Sequence, residues 1–150
     1  NLLWSKPGHD ATVTEIFDFG LSDRTTAVYD LATAIERNAI EWLMIEDATR
    51  DPVHLDMIER LLDGYQAVRP LDTAEATALP LLLPVVHVDF ALSEIAYFNG
   101  ILAAPDKAAL AYDDYLLGHA EWFAGPVGQT LLGDLASMLG HRREAVDVAL

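Results

Sequence analysis

The hydrophobic pattern of the chain changes period at residue 20, and that change limits the folds open to it. Before Gly20, two short β-prone runs, "NLLWS" (residues 1–5) and "VTEIF" (residues 13–17), flank the turn formers of "KPGHDAT". Such an arrangement predicts a β-hairpin. After Gly20, apolar residues recur at three- and four-residue steps, the spacing of one face of an α-helix. Val28, Leu31, Ala32, Ile35, Ala39, Trp42 and Leu43 predict one long amphipathic helix. Asp51–Pro52 is a helix-start signal, and Leu55, Ile58, Leu61, Leu62 and Tyr65 form the stripe behind it.

"DTAE" (residues 72–75) has the capping-box form, with Asp72 as N-cap and Glu75 three residues on. It opens a helix that Pro80 or Pro84 is expected to kink or end, because proline donates no backbone bond. Further helices are expected from Val85 to Leu102, from Pro105 to near Gly125, and over "GQTLLGDLASMLG" with Gly140 as its stop. The tail "HRREAVDVAL" receives no assignment. The expectation is a mainly α chain: a small N-terminal β-hairpin followed by five or six helices. A hairpin this small is marginal alone, so it should pack on the helices or on a further part of the protein.

Bulk properties remove several function classes. The 150 residues suit one domain, and 52% apolar content argues against disorder. With no cysteine, neither a disulfide framework nor a thiolate metal site can form; this suits a reducing, cytoplasmic setting. The 24 acids against 9 bases, a net charge of −15, disfavour a nucleic-acid partner, which needs clustered Lys and Arg. The most apolar run, residues 79–92, is interrupted by Pro80, Pro84, His87 and Asp89 and is too short to span a bilayer; it reads as buried helix, and no membrane partner is expected. The chain opens on Asn1 inside a strand-like run, which suggests part of a longer polypeptide.

His9, His54, His87, His119 and His141 form no H-x-x-x-H or H-E-x-x-H pair, so no zinc site is expected. His87 and Glu94, seven apart, share a helix face that Asp89 does not; they either line a cleft or are satisfied helix-face groups. Tyr97, Phe98, Tyr112, Tyr115, Trp122 and Phe123 read as core, and Asp113 and Asp114 as a solvated face. Arg24 either contacts phosphate or an acidic neighbour, or is a solvated loop charge.

An asparagine that starts one strand, "DFG" at the end of its partner (Asp18, Phe19, Gly20) and "YDLA" twelve residues on (Tyr29, Asp30, Leu31, Ala32) form an ordered set. The set resembles the C-terminal lobe of the aminoglycoside phosphotransferase family, kinase-like enzymes that phosphorylate small molecules, and the likeness covers about residues 1–125. It implies a part of an ATP-dependent phosphotransferase that acts on a small-molecule hydroxyl with Mg²⁺. It further implies Asp18 as the main Mg²⁺ ligand, Asn1 as the second, Phe19 and Gly20 as supports of the loop, and Asp30 as a structural acid behind the site. A first-turn acid favoured by the helix dipole explains Asp30 equally well. The resemblance makes residues 1–150 the helical lobe alone. The nucleotide-binding lobe and the catalytic aspartate, five residues before the asparagine, would precede Asn1, and the chain by itself would be inactive. A non-catalytic helical interaction module and a catalytically dead relative are the alternatives.

Overall fold

A computed structural model describes residues 2–8, 10–18, 24–47 and 49–148, with side chains to residue 142. Its two strands, β1 (Leu2–Trp4) and β2 (Val13–Ile16), pair antiparallel with Leu2 opposite Ile16, Leu3 opposite Glu15 and a bulge before Trp4 meets Val13. The turn is closed by the Ser5 N–H donating to Thr12 O (2.9 Å) and the Thr12 N–H donating to Ser5 Oγ (3.1 Å). The described helices are α1 (Ala27–Ala39), α2 (Leu55–Val68), α3 (Thr73–Ala96), α4 (Pro105–Leu110), α5 (His119–Ala124) and α6 (Pro126–Val148). A π-helical turn (Tyr97–Ile101) extends α3, and a π-helical segment (Ala111–Gly118) joins α4 to α5, so the described residues form five helical rods. The mainly α architecture with an N-terminal hairpin is therefore as expected.

The core gathers one stripe from each long rod. Val28, Leu31, Ala32 and Ile35 of α1 meet Leu79, Leu83 and Val86 of α3, with Ile58 and Leu62 of α2 and Leu131, Leu135 and Leu139 of α6 closing the sides. Several boundaries differ from the periodicity. The first helix stops at Ala39 rather than reaching Leu43, because Ile40 turns extended (φ −119°, ψ 120°) and bridges to Val53. Pro52 does not start α2; Asp51 accepts the Val53 N–H (2.9 Å), and helix begins only at Leu55.

Neither Pro80 nor Pro84 ends α3, and no separate helix begins at Val85. Each proline removes one ladder bond, but Leu79, Pro80, Leu83 and Val86 are buried around them, and that apolar burial outweighs the lost bonds. The capping box forms as expected, with the Glu75 N–H donating to Asp72 Oδ1 (2.8 Å) and the Asp72 N–H donating to Glu75 Oε2 (3.2 Å). Gly140 likewise does not stop α6, which runs on to Val148.

At the α5–α6 corner only glycine fits. A Cβ on Gly128 would lie 2.5 Å from both Phe123 Cα and Trp122 O. The rod Thr73–Ile101 is long and apolar enough to cross a bilayer by length and composition, a test that core helices of soluble proteins also pass. The hairpin, by contrast, does not pack into the core. Leu2, Leu3, Trp4, Val13, Ile16 and Phe17 are all exposed, and the hairpin's extensive contacts are between its own strands.

Candidate functional site

Asp18 lies two residues beyond the last paired residue of β2 and is exposed. Its backbone is left-handed (φ 65°), a conformation rare for residues other than glycine but tolerated by Asp and Asn. The strand end thus turns sharply at the carboxylate. Asn1, Phe19 and Gly20, the other residues expected at this site, lie outside the described residues. Asp30 sits exposed in the first turn of α1, its N–H donating to Thr26 O (3.3 Å). Thr26 at the N-cap makes no side-chain capping bond, so an acid here complements the helix N-terminus.

Two turns further along α1, the structure holds a buried polar cluster that periodicity did not single out. Glu36, fully buried, accepts a hydrogen bond from His87 Nδ1 (2.7 Å). A carboxylate can only accept, so the proton is on Nδ1 of His87. His87 Nε2 then pairs with His119 Nδ1 (2.9 Å) and lies 3.1 Å from the Tyr115 carbonyl oxygen, which the π-helical segment turns toward it. Burial, then the neighbouring His87, pushes the His119 pKa down to about 4.

Trp42 stacks on His119 (centroids 4.3 Å, 15° between planes). It reaches that place because the segment after α1 folds back as a clasp: the Glu41 N–H donates to Pro52 O (2.8 Å) and the His54 N–H to Ala39 O (2.9 Å). His87 is therefore a satisfied core group rather than part of an open cleft, whereas Glu94 is half-buried. The signal for Glu36 was present in the sequence. It falls four after Ala32 and three before Ala39, on the apolar face of α1.

At the rim of this cluster, Arg37 Nε lies 3.1 Å from Glu36 Oε2, at ion-pair distance but off the line of a hydrogen bond, so that oxygen is buried without a hydrogen-bond donor. The Arg37 guanidinium covers the Phe90 ring (3.2 Å to the centroid). The Tyr29 hydroxyl donates to Asp89 Oδ2 (2.7 Å). Among the described residues, no group of three or more His, Asp or Glu side chains could hold a metal ion. A cleft of about 510 Å³ between residues 49–55 and the start of α6 lies at the far end of α1, and neither Asp18 nor Asp30 lines it.

No protein-family model matches the chain, and no solved structure matches it. Among curated proteins it is similar to homoserine kinases. It is 38% identical to that of Methylobacterium radiotolerans over 80 residues, 53% of this chain and 23% of that protein. It is 33% identical to that of Hyphomonas neptunium over 106 residues (68% and 32%), and 34% identical to that of Methylorubrum populi over 111 residues (71% and 32%). The chain spans about a third or less of the length of these relatives, and its likeness is to kinases of a small molecule.

Proposed function

We propose that residues 1–150 are the C-terminal, helical lobe of a cytoplasmic ATP-dependent kinase that phosphorylates the side-chain hydroxyl of homoserine or a closely related amino alcohol. The observation that carries this reading is the identity of a third, over two thirds of the chain, with proteins named homoserine kinases. The ordered "DFG" and "YDLA" motifs of a kinase-like phosphotransferase support it. In this reading a nucleotide-binding lobe and the catalytic aspartate precede Asn1 in the intact enzyme.

The acceptor hydroxyl oxygen bonds to the γ-phosphorus of ATP as the bond from that phosphorus to the β–γ bridging oxygen breaks. ADP leaves, and the hydroxyl proton passes to the catalytic aspartate. Asp18, a hard oxygen donor exposed at a strand end, fits a Mg²⁺ ligand, with Asn1 as the second; the ion, when bound, offsets the charge of the phosphate oxygens. Asp18 itself is left-handed, and its carboxylate stands at the end of the hairpin. Asp30 supports the loop from the first turn of α1.

The intact polypeptide, assayed for ADP release with ATP, Mg²⁺ and a panel of hydroxyl acceptors, tests this reading. Acceptor-dependent turnover with homoserine is expected. ATP binding without turnover on any acceptor would instead mark a catalytically dead relative, and no ATP binding at all an interaction module.

A further inference from the structure

The cleft of about 510 Å³ between residues 49–55 and α6 takes no part in the kinase reading, and its volume is that of a small-molecule site. Apolar lining comes from both sides. Val53 and Leu55, half-buried, belong to the clasp, and Val127 and Leu131 to the first two turns of α6. The clasp wall is well tied. The Glu41 N–H donates to Pro52 O, Ile40 bridges to Val53, and the Asp51 carboxylate accepts the Val53 N–H.

Charge decides what such a cleft takes. The charged side chains that line it are Arg50, Asp51 and Asp134. Arg50 is matched by Glu41, 3.4 Å away. Asp51 uses Oδ1 for the Val53 N–H (2.9 Å) and remains exposed. Asp134, on the α6 wall, is half-buried and makes no hydrogen bond or ion pair among the described residues. A half-buried carboxylate without a partner, set among apolar groups, is satisfied by a cation that donates to it. The N-terminus of α6 also opens here, but it carries only about half a positive charge against two carboxylates. The local balance is negative, and the chain as a whole, at −15, draws cations toward it.

We propose that this cleft binds an organic cation, an amine that carries an apolar body. The ammonium pairs with Asp134, with Asp51 of the clasp as the second anion, and the body covers Val53, Leu55, Val127 and Leu131. The inference stands apart from the kinase reading, since neither Asp18 nor Asp30 lines the cleft.

The test is NMR of the intact polypeptide with methyl-labelled Val and Leu, titrated with three probes of one shape. They are 2-phenylethylamine, 2-phenylethanol and 3-phenylpropionate. The amine should shift the methyl signals of Val53, Leu55, Val127 and Leu131 together and saturably, with a Kd on the order of 1 mM for so small a probe. The alcohol should bind on the order of 5-fold more weakly, and the carboxylate more weakly still. Asp134→Asn keeps the side chain's shape and removes its charge, so it should abolish most of the preference for the amine over the alcohol.

Equal affinity for amine and alcohol in the wild type, or tighter binding of the carboxylate, overturns the proposal without any variant. Amine-induced shifts that spare these four residues overturn it too, as does a preference for the amine that Asp134→Asn leaves unchanged.

Discussion

Single residues carry the sharpest expectations. In the intact polypeptide Asp18→Asn keeps the shape of the proposed Mg²⁺ ligand and loses its charge, so on the kinase reading proposed above kcat should fall at least about 10³-fold with the fold retained; circular dichroism and steady-state assay of the variant check both halves. His119 gives a stability prediction with a definite sign. Its pKa is depressed by burial to about 4 in the folded protein, against 6.5 for the free side chain. The unfolded chain therefore takes up a proton below pH 6.5 that the folded one refuses until about pH 4, and stability drains away across that window. Urea unfolding at pH 7.5 and 4.5 should show a loss of about 2 kcal/mol from this group, absent in His119→Phe. The cluster was only half legible in the sequence. The helical phase of Glu36 betrays its burial, but its partner His87 lies 51 residues away on α3, and His119, which pairs with His87, 32 further on in α5; a one-dimensional pattern holds no record of that meeting.

Elements were legible wherever local chemistry decides them. The capping box of α3 formed where "DTAE" placed it, and Asp72→Ala should cost about 1 kcal/mol, read from the urea midpoint at constant m-value. They were misread wherever tertiary burial overrules local preference. Pro80 and Pro84 read as breaks because their cost is local, whereas the compensation comes from Leu79, Leu83 and Val86 packing against other rods. Gly128 behaves in the opposite way. Nothing in the sequence marks it as more than a glycine in a helix, yet the corner admits no Cβ. Gly128→Ala should destabilise by about 1–3 kcal/mol despite the better helix propensity of alanine, whereas Gly133→Ala, with open space around it, should not. Thermal melts of the two variants side by side separate crowding from propensity.

At the scale of the whole molecule, the helical rods share one core, and the hairpin stands apart from it with Trp4 55% and Ile16 63% exposed. In residues 1–150 alone, backbone amides of β1 and β2 should exchange with solvent far faster than those around Leu83 of α3. In the intact polypeptide the proposed nucleotide-binding lobe should slow exchange in the hairpin and leave α3 unchanged. Equal exchange in both forms would count against that lobe resting on the hairpin. The rod from Pro105 to Ala124 has a consequence of another kind. Its π-helical segment, Ala111–Gly118, spends one more residue than α-helix needs to bring His119 into place. Chain length is negotiable there while angular phase is not. Removing one of the exposed residues 112–114 should let the rod close into continuous α-helix with both ends still in register, yielding a shorter protein with its helices intact and the Tyr115 carbonyl no longer presented to His87.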